Sequence, residues 1–426
     1  MHYSLYNHIV QTDDGMYALY NFLTGRCLQL NYFSKQVYDD ALTLGVEHGG
    51  VKNLLKYGFL VDFDEKEWLK RMSLGAMGRT DRLFLCICPT MACNFNCPYC
   101  FETPRSGRMT GETRDALIAF TERLIKDGNP KSLYVTWFGG EPMLEMGIIQ
   151  DLSRRLVKLC EPGIKYGANI VTNGWFLTPE NIRILESCHI SEAQITLDGP
   201  CAEINDATRR PKGESGSFDR IISNLRGVKT AMRFGVRCNV LKQNEKMYPD
   251  LVRLINRIAE ETGNIIHVAP ARAETGLNPE RDCSSAFTAL SAEEFAGIAG
   301  ISPKRLRFEG SYCVSQKLNS YCIDERGDLY KCWEAIGYGE RAFGNIRDFA
   351  LTKNPDGRIK SMLDFLGTVW PENDGECMAC KVLPVCLGGC PNRRLTGGHR
   401  CEPYKYTMDE YVKHVYLEVY GKKDTL

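Results

Sequence analysis

Short apolar stretches alternate with polar turns at the start of the chain. TyrAlaLeuTyrAsnPhe (17–22) and CysLeuGlnLeu (27–30) flank LeuThrGlyArg, a pattern that predicts two short strands around a turn. Ser34–Leu44 and Val51–Tyr57 carry helical spacing and precede GlyPheLeuValAsp (58–62). Residues 1–75 thus read as a small winged-helix-like unit. AspGluLysGluTrpLeuLysArg (64–71) reads as a helical linker with a solvated charged face.

From about residue 82, apolar strand candidates alternate with amphipathic helices. The strands are 82–87, 132–138, 168–172, 193–197, 235–240 and 264–269, with helices such as Gly111–Lys126 and Met146–Cys160 between them. Six such repeats predict an α/β fold, a partial (β/α)6 barrel over residues 76–302, with catalytic groups on the loops after the strands' C-terminal ends. After residue 303 the periodicity fades and cysteines crowd in, so residues 303–426 are expected to take their order from metal.

Length and charge narrow the function classes. A chain of 426 residues suits two or three domains. Lys+Arg and Asp+Glu both total 53, so no global field favours nucleic acid or an anionic membrane. The N-terminus lacks the apolar core of a secretory signal, and no apolar run has membrane-spanning length. The expectation is a cytoplasmic protein with neither nucleic acid nor membrane as partner. Nineteen cysteines then stand out, because a reducing compartment does not keep disulfides, and their CxxC-type spacings favour metal ligation.

The loop after the first barrel strand reads CysAsnPheAsnCysProTyrCys, placing Cys93, Cys97 and Cys100 as a CxxxCxxC. One loop of this spacing brings three thiolates onto one face of an iron–sulfur cubane and leaves the fourth iron open. A zinc site would need a fourth ligand, and no His lies nearby to supply one. After the second strand comes GlyGlyGluPro (139–142), where the glycines permit close backbone approach and Glu141 can accept from an ammonium.

With these residues the sequence resembles the radical S-adenosylmethionine (SAM) superfamily. The resemblance implies that Cys93, Cys97 and Cys100 hold a catalytic 4Fe–4S cluster whose open iron binds SAM. It further implies a 5′-deoxyadenosyl radical that removes a hydrogen from the substrate. Tyr99, Gly139, Gly140, Glu141 and Pro142 match the family's stations in the loop and the GGE motif. Asn173 in ThrAsnGly, Thr196 and Asp198 in ThrLeuAspGlyPro, Arg209 and Asn239 fall where the family contacts SAM. The HisAspxxxArg-like segment of the family stands here as AsnAspAlaThrArg (205–209), with Asn205 in place of His.

The C-terminal cysteines resemble a SPASM domain. Cys313, thirteen residues, Gly327, four residues and Cys332 fill its first part, and Cys377, Cys380, Cys386, Cys390 and Cys401 fill the rest. The resemblance implies two auxiliary 4Fe–4S clusters, three clusters in all. Cys313, Cys332 and Cys390 would bind the first, and Cys377, Cys380, Cys386 and Cys401 the second. Eight thiolates are needed where the motif offers seven, so either Cys322 completes the first cluster or its open iron accepts a substrate group. The cysteines outside the motifs, Cys283 among them, read mostly as small core residues.

SPASM-bearing enzymes resembling this chain mature ribosomally made peptides, and residues 1–75 stand where such maturases carry a leader-recognition module. The expected function is cross-linking of a precursor peptide through a Cys thioether, of sactipeptide or ranthipeptide type, with a flavodoxin or ferredoxin as reductant. Carbon–carbon cross-linking would use the same parts. The anaerobic sulfatase-maturing type, which makes formylglycine, generally starts close to the cysteine loop and has an Asp after the Gly-x4-Cys cysteine; here about 90 residues precede Cys93, and Trp333 follows Cys332. A non-catalytic iron–sulfur protein that binds peptide would have no use for GlyGlyGluPro.

Overall fold

The computed structural model describes residues 1–161, 163–273, 287–302, 304–348, 359–368, 370–395 and 401–421, and Cys283 lies outside them. Near the N-terminus, Asn7–Gln11 (β1), Tyr17–Asn21 (β2) and Arg26–Leu30 (β3) form an antiparallel meander in the order β1-β2-β3, with Asn7 opposite Asn21 and Tyr17 opposite Leu30. Side chains alternate between its faces because a strand has a period of two. Ala18 and Tyr20 point to one core and Leu19 to another. The second face is covered by the helix Gly49–Tyr57 through Val51 and Leu54, joined by Phe59 and Leu60.

The first face is covered from the far end of the chain. The helix Met408–Tyr420 lays Tyr411, Val412, Val415 and Tyr416 against Val10, Ala18, Tyr20 and Phe22. Tyr411 is the hub: its hydroxyl accepts from Leu306 N–H at 2.7 Å and pairs with the Tyr20 hydroxyl at 3.2 Å. Its ring meets Tyr20 edge-on at 5.5 Å and stacks on Phe22 at 6.1 Å. One compact unit accordingly gathers Met1–Gly78, Ala292–Lys317 and Leu366–Leu426.

The other unit comprises Arg79–Ser291 and Leu318–Phe365. Its parallel strands are Arg82–Ile87 (β4), Ser132–Trp137 (β5), Lys165–Thr172 (β6), Ile190–Thr196 (β7), Arg233–Val240 (β8) and Ile266–Arg272 (β9), within a few residues of the six runs read from sequence. They lie in the order β9-β8-β7-β6-β5-β4, the partial barrel-like sheet expected. Sequence alone did not show that the sheet continues: Ser320–Ile323 (β10) pairs in parallel with β4, and Asp328–Tyr330 (β11) and Gly344–Asn345 (β12) follow as antiparallel edge strands. These strands are too short for periodicity to announce them.

Leu133, Val135 and Trp137 on β5 are fully buried while the alternate residues are half-buried, so one sheet face is apolar and the other carries polar side chains. Helices between the strands cover the apolar face. Gly111–Gly128 begins at Thr110, whose hydroxyl accepts from Thr113 N–H at 3.2 Å, and ends at Asn129 in the left-handed region. Met146–Cys160 buries Ile149, Leu152 and Leu156. Among the described residues, no helix is long and apolar enough to cross a membrane.

Tyr411→Ala removes a buried ring and strands the Leu306 N–H, while the Tyr20 hydroxyl keeps Leu306 O as its acceptor at 2.6 Å, so it should destabilise the first unit by about 3–5 kcal/mol, as aromatic truncations in cores do. Urea unfolding followed by near-UV dichroism checks this. A loss below about 1 kcal/mol would contradict the shared core.

Candidate functional site

Strand β4 runs out into the cysteine loop, and two backbone carbonyls of that loop carry the site. Thr90 O accepts from Gly140 N–H at 3.3 Å and Ala92 O accepts from Glu141 N–H at 2.9 Å. The approach is too close for a side chain. A Cβ on Gly140 would lie 2.3 Å from Ala92 O and 2.5 Å from Met91 O, and one on Gly139, where φ is +118°, would lie 2.3 Å from Thr90 O. This is why the turn after β5 needs two glycines.

Pro142 then starts a 3-10 turn, buried at Pro142 and Met143 and capped by the Glu141 side chain. Glu141 itself is fully buried and turned toward the protein. Its carboxylate accepts from Thr172 Oγ1 at 2.8 Å, Asn173 N–H at 2.8 Å and Met143 N–H at 3.0 Å. Burial pushes its pKa up, and the three hydrogen bonds oppose that rise. The side chain of Asn173 donates to Asn94 Oδ1 at 2.8 Å, so the end of β6 also grips the loop.

From the opposite side the loop is held by Asp198, which follows β7 and is buried. The Tyr99 hydroxyl donates to its carboxylate, as do Thr208 Oγ1 at 2.7 Å and Asn239 N–H at 3.0 Å. Asn239, on β8, also donates through its side chain to the Tyr99 hydroxyl at 3.2 Å. Asn205, the position without the expected His, is fully buried and accepts from Asp198 N–H at 3.0 Å. It supports Asp198 from behind. Thr196 is buried at the end of β7, in register with Arg237.

Cys93, Cys97 and Cys100 gather with Tyr99 and Phe176 around Phe95 and Trp175. Arg209 reaches them: its Nη1 donates to Cys97 Sγ at 3.2 Å, and its guanidinium lies 5.2 Å above the Phe95 ring. Desolvation pushes the Cys93 thiol up, with the charge of Glu141 adding to it, so a metal must displace its proton. Among the described residues no three His, Cys, Asp or Glu side chains converge closely enough for a single metal ion. The donor chemistry suits an iron–sulfur cluster, with three thiols from one loop beside a buried guanidinium whose Nε has no partner.

The remaining cysteines divide between the units. In the first, Cys377, Cys380, Cys386 and Cys401 line one cavity together with Gly388, Gly389 and Lys405, whose ammonium donates to Cys401 Sγ at 3.3 Å. Burial pushes the Cys386 thiol up to about 12. Cys313 and Cys390 also belong to this unit. In the second unit, Cys332 and Cys322 are buried, and Cys322 on β10 stands opposite Cys86 on β4, whose thiol bonds with those of Cys322 and Cys88. Of the cysteines outside the motifs, Cys86, Cys88, Cys160, Cys188 and Cys238 are buried and Cys201 is exposed.

Several residues of this constellation carry no signal of their own in the sequence. Asn94 and Thr172 act through bonds to Asn173 and Glu141, 79 and 31 positions away, and Thr208 through its bond to Asp198. The rings of Phe101, Phe138 and Trp333 stack in series, at 6.4 Å and 5.1 Å with planes within 14° of parallel. Each follows or precedes a motif residue, which is the only clue the sequence offers.

Residues 87–268 match the Radical SAM superfamily, so the chain carries a radical SAM domain. The AdoMet-dependent heme synthase of Oleidesulfovibrio alaskensis is 23% identical over 74% of this chain and 84% of its own length. The radical SAM cyclopropyl synthase TigE of Paramaledivibacter caminithermalis is 22% identical over 91% of this chain and 85% of its own. The structure of anSMEcpe with AdoMet and the Cp18Cys peptide bound superimposes with a TM-score of 0.59 at 17% identity, covering 79% of this chain and 97% of that one. That likeness establishes the barrel fold.

Gly140→Ala should displace the cysteine loop, because the new methyl group meets backbone oxygens that no rotamer change can move. Reconstituted protein is expected to lose the same iron that Cys93→Ala loses. Iron and sulfide analysis checks this, and a Gly140→Ala protein with wild-type iron content would refute the close-approach argument.

Proposed function

Starting from a chain that carries a radical SAM domain, we propose that it matures a ribosomally made precursor peptide by forming a cross-link, a Cys thioether in the first instance. Cys93, Cys97 and Cys100 hold the catalytic cluster, clamped between the GlyGlyGluPro turn and Asp198, and this clamped loop is the observation that carries the reading. Cys377, Cys380, Cys386 and Cys401 hold one auxiliary cluster, supported by the cavity they share. On the cysteine motif alone, Cys313, Cys332, Cys390 and Cys322 are the remaining ligand candidates.

When bound, the cluster and SAM supply a 5′-deoxyadenosyl radical that removes a hydrogen atom from the peptide. The protein's own residues supply placement. Tyr99, Asp198 and Asn239 fix the loop against β7 and β8, and Thr196 and Asn173, buried at the ends of β7 and β6, would help to hold SAM. Glu141, whose carboxylate is engaged by three internal donors, acts by holding the loop and the end of β6 together. Phe95 and Trp175, both buried, pack with the buried Cys97.

The peptide substrate is supported by the N-terminal residues. Among the described residues, β3 pairs only with β2, and on its other edge the Tyr420 hydroxyl donates to Cys27 O and meets the Gln29 backbone, so an added strand would take the place of Tyr420 there. Tyr32 and Phe33, 66% and 74% exposed, follow that strand directly and offer apolar anchors for a leader. The alignment with TigE covers 91% of 426 residues, so at most about 38 lie outside it and it reaches into the first 78. The cyclopropyl product in that relative's name favours carbon–carbon bond formation as the second reading. The heme synthase relative makes a porphyrin the small-molecule rival.

Reduced, reconstituted protein incubated with SAM and a Cys-containing peptide encoded beside its gene should lower the peptide's mass by about 2 Da per link. Alkylation then separates the bonds formed: a thioether removes a thiol from titration, and a carbon–carbon link leaves it. An unchanged peptide mass under conditions that consume SAM would overturn the cross-linking assignment.

A further inference from the structure

Arg209 is placed where a charge matters most. It is 8% exposed, and its backbone is pinned by Asn205 O, which accepts from Arg209 N–H at 2.8 Å, and by the Ser217 hydroxyl, which donates to Arg209 O at 2.8 Å. An arginine guanidinium stays protonated even when buried, and the Asp198 carboxylate is among the neighbours that favour its charge. The buried carboxylates of Asp198 and Glu141 act on it, Glu102 acts on Cys93, and the loop thiols gather beside Phe95 beneath it. Lys212, at the outer side of the loop, donates to Cys93 O at 2.9 Å and does not reach a sulfur in this way.

Reducing a cluster by one electron adds a full negative charge with no proton to compensate it. In a site already rich in buried anions that step is unfavourable unless a cation answers it, and the effect is strong where water is excluded. Phe95 and Trp175, edge-to-face at 5.9 Å, belong to the cluster that buries Cys97, the thiol Arg209 contacts, while Cys93 and Cys100 are half-buried. A charge-assisted hydrogen bond to a ligating thiolate draws electron density from the sulfur and stabilises the reduced state.

We propose that Arg209 is a positioning residue that sets the reduction potential of the cluster at Cys93, Cys97 and Cys100, through its hydrogen bond to the Cys97 sulfur and its buried positive charge. This goes beyond contact with SAM and rests on the reading of those cysteines as cluster ligands. The orphaned Nε leaves the guanidinium free to serve SAM at the same time, so substrate binding and reduction would be coupled through one side chain.

The test is a redox titration of the reconstituted full chain, following by electron paramagnetic resonance the signal that Cys93→Ala removes. Arg209→Met should shift the one-electron equilibrium toward the oxidised form by about tenfold, about 59 mV more negative, with iron and sulfide content unchanged. Arg209→Lys, which keeps the charge, should recover at least half of that shift. An Arg209→Met protein with full iron and an unmoved midpoint overturns the proposal. Should Arg209→Met fail to hold the cluster, Arg209→Lys is compared with Arg209→Gln: a more positive midpoint for Lys supports it, and equal midpoints overturn it. Absence of any reducible signal dependent on Cys93 in the wild-type chain would instead overturn the cluster assignment itself.

Discussion

The site depends on one close backbone approach. Where Gly140 and Glu141 donate to the carbonyls of Thr90 and Ala92, the cysteine loop is pressed against the turn after β5 with no room for a Cβ. Glu141 carries the constraint onward to Thr172 and Asn173 at the end of β6. Tyr99 carries it to Asp198 after β7 and to Asn239 on β8. Three thiols on a loop are thereby referenced to the ends of five parallel strands. A loop held only by its flanking residues could not keep ligand spacing through a change of charge on the cluster, whereas one anchored to a sheet can.

The polar residues at these strand ends form a continuous network because the barrel's interior would otherwise strand buried donors and acceptors. Asp198 shows the economy of the arrangement: both carboxylate oxygens are engaged, and its own N–H and carbonyl are taken by Asn205 and Asn244. Removing any member leaves a partner buried and unsatisfied, which costs more than the bond itself contributes. Negative charge therefore accumulates around the thiols, and Arg209 is the cation buried among them.

The barrel was legible from sequence because its strands are buried on one face and reinforced by helices of clear 3.6-residue period, as in Met146–Cys160. The cysteine and glycine motifs were legible because their chemistry demands fixed spacing. What stayed hidden was non-local. Asn7–Gln11, with the polar ends of AsnHisIleValGln, is a strand only because Tyr17–Asn21 pairs with it. The reach of Met408–Tyr420 across the N-terminal meander leaves no mark in either segment alone. Glu141 matched a motif, but its three internal donors could be seen only in three dimensions. Cys322 is a ligand candidate by count, and its place opposite Cys86 within the barrel sheet is visible only in three dimensions.

In the function proposed, the cluster held by the clamped loop would supply a radical that acts on a peptide carbon. The most direct measurement is isotope transfer: reduced enzyme, SAM and a precursor peptide carrying deuterium on its carbons, followed by mass analysis of the 5′-deoxyadenosine. The account predicts deuterium in the 5′-deoxyadenosine, dependent on Cys93 and on the peptide. Formation of 5′-deoxyadenosine without deuterium, at a rate unaffected by the peptide, would contradict it.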